Sequence, residues 1–349
     1  MLARDVKTIA DAQKIVESRD LRYIKVAVVD IDGVMRGKYI SKAKFLSALD
    51  KGFGFCDVVL GWDCKDQLYD NVAFTGWHTG FPDAPVRLIP ESCREIPFEN
   101  ETLFFLGEFS TPADQICPRS LLRRVIEKAE SMGFSATVGY EYEFFVFNET
   151  RESIREKKYQ DLKPLAPGFF GYSMLRNGVD AEFYQQILSL ADDMDFPLEG
   201  LHEETGPGVL EAAIYHDLAL NAADKAALFK SFIKILAQRQ GLLATFMAKW
   251  SPDWPGQSGH MHISLNDNHG NPLFYDAQAD NGMSQLMCHF VAGQQSFMPE
   301  LLSMIAPTIN SFTRLVPGFW APTSASWGVD NRTCALRVIP GGEASQRVE

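Results

Sequence analysis

Several things are missing from this 349-residue sequence, and each absence removes a class of function. There is no excess of basic charge: the formal net charge is −12, so a protein that works by neutralising nucleic-acid phosphates or anionic lipid is excluded. No apolar run approaches the length needed to span a bilayer, and the first residues, MLARDVKTIADAQK, lack the apolar core of a secretory signal. A cytoplasmic location is expected. The six cysteines (Cys56, Cys64, Cys93, Cys117, Cys288, Cys334) are scattered with no C-x-x-C pair, which argues against a disulfide framework or a structural zinc site. Low-complexity tracts and internal repeats are also absent. What is there, 46% hydrophobic and 22% charged residues, is the composition of a globular protein long enough for two domains.

Composition changes along the chain. Tyr23 to Ile31 (YIKVAVVDI) is rich in β-branched residues and runs into Asp32-Gly33, a strand ending in a turn. Gly and Pro breaks dominate up to about Phe109, whereas Arg119 to Met132 puts Leu121, Leu122, Val125, Ile126 and Ala129 on one helical face. A boundary is therefore expected near Ser110 to Gln115, giving an N-terminal domain over 1–110 and a second over 111–349. Beyond it, strands alternate with helical patterns at Asp180–Asp195, Leu218–Arg239 and Met283–Met304, which predicts an α+β domain.

Four groups of residues could carry chemistry. In Thr137 to Phe147 (TVGYEYEFFVF), Glu141 and Glu143 project from one face of a strand, roughly 7 Å apart. Two adjacent carboxylates either flank a cation or sit at a solvated face. In Leu201 to Glu211 (LHEETGPGVLE), the Gly206-Pro207-Gly208 turn can bring Glu203 and Glu211 toward one site, or form an acidic surface hairpin. In Gly259 to Leu265 (GHMHISL), His260, His262 and Ser264 share one face; a His-x-His pair alone is weak, since neutral imidazole serves many purposes. Lastly, Arg314, Arg332, Arg337 and Arg347 are each unremarkable alone but together suggest an anion site, because guanidinium binds carboxylate and phosphate bidentately.

Taken in order, the DGVMRGK segment (Asp32 to Lys38), the E-x-E strand, the glutamate hairpin with its GPG turn, ATFMAK before the His-x-His strand, and NSFTRLVPG followed by AP, NR and R resemble the glutamine synthetase superfamily over essentially the whole chain. The resemblance implies a β-grasp-like N-terminal domain and a catalytic domain with a curved antiparallel sheet backed by helices. It makes Glu143, Glu203 and Glu211 ligands of one Mg²⁺ or Mn²⁺ ion and Glu141, His260 and Glu349 ligands of a second. His262, Ser264, Arg337 and Arg347 become contacts for ATP. Arg314 becomes the clamp on the α-carboxylate of glutamate, Arg332 a neighbour of the transferred phosphate, and Asp63 the aspartate of the N-terminal latch. Gly259, Glu204 and Trp320 fall beside the substrate.

The implied reaction is ligation: glutamate is phosphorylated on its γ-carboxylate by ATP, and an amine then displaces phosphate. Relatives assemble into rings, usually double-ring dodecamers, so a homo-oligomer is expected. The family pattern continues past Glu349 with another arginine and a closing helical segment, so a longer chain is expected too.

One position departs from the pattern in a way that bears on substrate. Ammonia-using members carry a glutamate where this chain has Trp320, in Pro317-Gly318-Phe319-Trp320-Ala321-Pro322. Indole neither accepts a proton nor pairs with ammonium, but it offers an apolar, π-rich wall to a larger amine. The resemblance thus points to the γ-glutamyl-polyamine, -monoamine or -anilide synthetase branch. The alternatives are a true glutamine synthetase in which another residue is the base, a non-catalytic relative, and a ligase that adenylates its acid.

Overall fold

The computed structural model describes residues 1–99 and 101–349. The chain forms two compact units: Met1–Lys128 with Ser189–Phe196, and Ala129–Leu188 with Pro197–Glu349. The boundary expected near Ser110–Gln115 lies inside the first of these. The reason is an ion-pair hub, in which buried Glu108 is held by Arg119, Ser120 and Arg123 from the helix that follows and by Arg87 from a neighbouring strand. Among the described residues no helix is long and apolar enough to cross a membrane.

In the first unit, α1 (Ile9–Ser18) is followed by the hairpin β1 (Tyr23–Val29) and β2 (Met35–Ser41), then α2 (Lys42–Lys51), β3 (Phe53–Cys56), β4 (Asp83–Leu88), β5 (Arg94–Glu95), β6 (Leu103–Phe109) and most of α3 (Pro118–Ser131). The sheet runs β2-β1-β6-β4-β3, with β1 and β6 parallel and the other pairs antiparallel. Thr8 caps α1 by accepting from the Asp11 N–H, and Ser41 caps α2 through the Lys44 N–H, each satisfying a first-turn donor that the helix cannot. Phe45 of α2 packs on Phe105 of β6, ring centroids 4.7 Å apart, both fully buried. The end of the split segment is tied in by Arg94 and Asp195, 3.1 Å apart.

The second unit is built on β7 (Phe134–Phe147). With it belong α4 (Arg151–Glu156), α5 (Met174–Val179), the first part of α6 (Ala181–Asp193), β8 (Leu198–Glu203), β9 (Val209–Leu218), α7 (Ala219–Arg239), β10 (Leu243–Thr245), β11 (Gly259–Asp267), α8 (Gln285–Ile305), α9 (Ile309–Arg314), β12 (Trp327–Val329), β13 (Leu336–Ile339) and β14 (Arg347–Val348). The sheet order is β12-β13-β14-β11-β7-β9-β8, antiparallel except for β12 with β13.

Strand alternation decides which face of β7 does what. Tyr142 and Phe144 point back onto Phe229 of α7, at ring centroids of 6.0 and 5.9 Å, and Phe144 also stacks on Phe246 just after β10 (5.3 Å). The buried α7 residues Ala222, Ala226, Phe229, Ile233 and Leu236 recur at three- and four-residue spacing, which is why this helix lies along the sheet. Glu141 and Glu143 consequently face the other way, away from α7.

Candidate active site

Register across the sheet assembles the polar face. Glu141 of β7 stands opposite His260 of β11, and Glu143 stands opposite Glu211 of β9. Glu211 in turn stands opposite His202 of β8, and the backbones of Arg337 and Glu349 exchange hydrogen bonds at the far end. Directly opposed residues in a ladder share a face, so these side chains come from five strands to one surface.

The contacts are short. His260 Nδ1 is bonded to Glu349 and lies 3.8 Å from Glu141, while its Nε2 is 3.8 Å from Glu143. His262 Nε2 lies 3.2 Å from Glu141, and its Nδ1 accepts from Arg347 Nε at 3.2 Å. Glu143 Oε2 accepts the Ser258 N–H at 2.8 Å. Arg337 Nε lies 3.1 Å from Glu349 Oε2. Ser264 donates to the Gln346 carbonyl.

Two groups have the donor atoms and closeness that an ion needs: Glu141, His262 and Glu349 in one, His202, Glu204 and Glu211 in the other. The electrostatics suit a cation. Burial, with the Glu143 and Glu141 carboxylates alongside, pushes Glu211 up to about 8. Burial likewise raises Glu143. Burial opposes ionisation of Glu141 as well, but its bond to His262 and the charge of the two histidines hold it down near 2. Burial disfavours the charged form of His260, yet Glu349 and the other carboxylates carry it to about 9. Glu349 Oε2, 3.1 Å from Arg337 Nε, and His262 Nε2, 3.2 Å from Glu141, are buried without an aligned hydrogen bond. The residues present therefore fit divalent ions held by oxygen and imidazole.

The structure arranges three expected ligands differently: His262 stands in the first group where His260 was expected, Glu143 is in neither group, and Glu203 is turned away. Glu203 pairs across the ladder with Leu210, so it lies on the opposite face from Glu211, buried and bonded to Arg176 at 3.0 Å. Spacing through the GPG turn suggested Glu203; the pleat assigns that face to His202, and Glu204 joins it just past the strand end. Gly208 sets this geometry, because its φ is +66° and a side-chain carbon there would lie 2.5 Å from the Val146 carbonyl. His202, and Tyr172 stacked on it, were missed; counting alternate residues along LHEE would have found the histidine.

The other expected residues fall as follows. Arg314, at the end of α9, is partly buried with its stem against Gly256, and Glu143 feels its charge. Trp320 is 69% exposed in the loop after α9. Gly259 opens β11 opposite Tyr142, with the Glu141 carbonyl 3.1 Å from where its side chain would begin. Arg332 is exposed between β12 and β13, and its charge is felt at the Tyr172 hydroxyl. Asp63 belongs to the first unit, where its Oδ1 accepts the N–H groups of Lys65 and Gln67.

Comparisons with known proteins identify the family. The family described as "Glutamine synthetase, catalytic domain" matches residues 115–349, about two thirds of the chain. The chain belongs to the glutamine synthetase family. It is 48% identical over 328 residues to type-1 glutamine synthetase 2 of Dictyostelium discoideum, covering 93% of this chain and 63% of that relative. It is 35% identical over 356 residues to a glutamate–isopropylamine ligase of a Pseudomonas species, covering 100% and 77%. A solved GmaS–ADP complex has the same fold, with a TM-score of 0.82 at 22% identity over 97% of this chain and 75% of that one. Within the superfamily, relatives at 32–35% identity are γ-glutamyl amine synthetases, the branch that the sequence resembles.

Proposed function

We propose that this protein is an ATP-dependent ligase that joins the γ-carboxylate of glutamate to an organic amine. The observation that carries the reading is the polar face itself: carboxylates and imidazoles from neighbouring strands converge where arginines can meet anions. Two anions, glutamate and ATP, must be brought together in this reaction, and fixed positive charge removes their repulsion.

In this reading Arg314 holds the α-carboxylate, and Arg337 and Arg347 hold phosphate oxygens while His262 and Ser264 line the nucleotide side. A γ-carboxylate oxygen forms a bond to the terminal phosphorus as the bond to ADP breaks. Arg332 steadies the transferred phosphoryl group. The amine nitrogen then bonds to the acyl carbon, the C–O bond to phosphate breaks, and the nitrogen loses a proton. Glu141, Glu143, Glu204, Glu211, His260 and Glu349 would hold Mg²⁺ or Mn²⁺, which when bound neutralises phosphate oxygens. Asp63, given a site shared between subunits of a ring, would close it from a neighbouring copy.

Trp320 supports an organic amine over ammonia, since its exposed ring is free to cover an alkyl or aromatic group. The second reading, synthesis of glutamine from ammonia, is favoured by the 48% identity to a glutamine synthetase. The test is ADP and phosphate release by the full-length protein with ATP, Mg²⁺ and glutamate, comparing ammonium with mono-, poly- and aromatic amines. Release driven by an organic amine and not by ammonium supports the proposal; efficient turnover with ammonium replaces it with glutamine synthesis.

A further inference from the structure

His202 has a geometry that a surface histidine does not need. Its Nδ1 lies 3.1 Å from the Glu203 carbonyl oxygen, which can only accept, so Nδ1 carries the proton. In the neutral ring the lone pair is then on Nε2, and Nε2 points at Glu211 Oε2, 3.6 Å away. A lone pair aimed at a carboxylate oxygen is repulsive unless a proton or a metal cation lies between them. Glu204 Oε2 lies 3.9 Å from the Nδ1 side of the same ring. The ring is held by Tyr172, whose own ring stacks on it at 4.5 Å and 27°. A backbone carbonyl that fixes the tautomer, with packing that fixes the ring plane, is the usual support for a metal-ligating imidazole. Cis ligands of an ion at roughly 2.1 Å sit about 3 Å apart, a small side-chain movement from the present separation.

We infer that His202 Nε2 is a ligand of the divalent ion held by Glu204 and Glu211, and that it makes this ion site prefer Mn²⁺ over Mg²⁺. Buried Glu203 faces the other way, bonded to Arg176, so the group that spacing alone would make all-oxygen contains a nitrogen instead. Mg²⁺ favours oxygen donors and near-ideal octahedral geometry, whereas imidazole favours transition metals. The inference rests on the ligase reading for the presence of the ion.

The test titrates the intact protein with Mn²⁺ alone and Mg²⁺ alone by calorimetry, in wild type and His202→Asn. Asparagine keeps a donor for the Glu203 carbonyl and lacks the Nε2 ligand. The expected result is about a tenfold loss of Mn²⁺ affinity at one site with Mg²⁺ affinity nearly unchanged. Unchanged Mn²⁺ binding, or an equal loss for both ions, overturns the inference and leaves the ligase reading intact. Failure of wild-type protein to bind either ion overturns both. Should His202→Asn not fold, Mn²⁺ electron spin-echo spectra of wild type and His202→Gln supply the answer: loss of one nitrogen coupling supports the ligand role, and an unchanged set of couplings refutes it.

Discussion

Arg314 Nη2 donates to the backbone carbonyl of Trp320 at 3.4 Å. The arginine that would clamp the acid thus also holds the loop that carries the residue expected to select the amine. Trp320 has a φ of +57°, a left-handed conformation uncommon for an aromatic residue, just after Gly318 at +84°. In the proposed reading a change at Arg314 should therefore be felt in both acid binding and amine choice, whereas a change confined to the indole leaves the carbonyl that Arg314 uses in place.

Replacing the indole is expected to divide these effects. Trp320→Ala should raise the KM for the preferred organic amine about tenfold, the equivalent of roughly 1.4 kcal/mol of aromatic contact, with little change in the KM for glutamate. Trp320→Glu should raise turnover with ammonium. Steady-state kinetics with varied amine check both, and equal amine KM values in wild type and Trp320→Ala would remove Trp320 from the amine site.

Gly256 sets where Arg314 can lie. A side-chain carbon there would collide with Arg314 Cγ and the Ala248 carbonyl, and the latter is backbone that cannot step aside. Gly256→Ala should destabilise the protein by about 1–3 kcal/mol and weaken glutamate binding. Urea unfolding and glutamate titration are the measurements; unaltered stability would contradict this packing.

Neighbouring glutamates should behave differently. Glu204→Gln is expected to weaken metal binding at least tenfold with small effect on stability, because Glu204 faces the polar cluster. Arg176→Met should leave metal binding nearly intact and cost about 3 kcal/mol or more, because it strands the buried Glu203 carboxylate without its partner. Metal titration beside thermal unfolding separates the two, and the reverse pattern would restore Glu203 to the site.

Acid stability has a local source in Glu149. Burial pushes its carboxyl up, but the Lys157 ammonium, the Ser153 hydroxyl and the Lys163 N–H outweigh it and bring it from 4.5 to about 2. A group whose folded value is depressed stabilises the fold above its unfolded value and loses that contribution as pH falls through the folded one. Glu149→Gln should therefore unfold more easily than wild type at pH 7, with the gap closing from about pH 4.5 down to about 2. Urea midpoints across that range test this, and a constant gap would place the effect elsewhere.

The β7 carboxylates, the His-x-His strand, the long helices and the family were legible in the sequence because they depend on local order. A strand's two-residue period fixes that Glu141 and Glu143 share a face, whatever lies beyond them, and the periodicity of Leu218–Arg239 anticipates α7. Glu203, His202 and Glu204 show where such reasoning stops. A turn such as Gly206-Pro207-Gly208 announces a reversal without stating the register, and a one-residue difference in register exchanges every inward side chain for an outward one. Cross-strand pairing, fixed by the packing of the sheet on α7 and by the close approach at Gly208, decided that His202 meets Glu211 while Glu203 turns away to Arg176. The sequence by itself determined the chemical inventory and its local periodicity. Tertiary structure alone decided which of those groups share one space, because proximity between strands is set by long-range packing that no local pattern encodes.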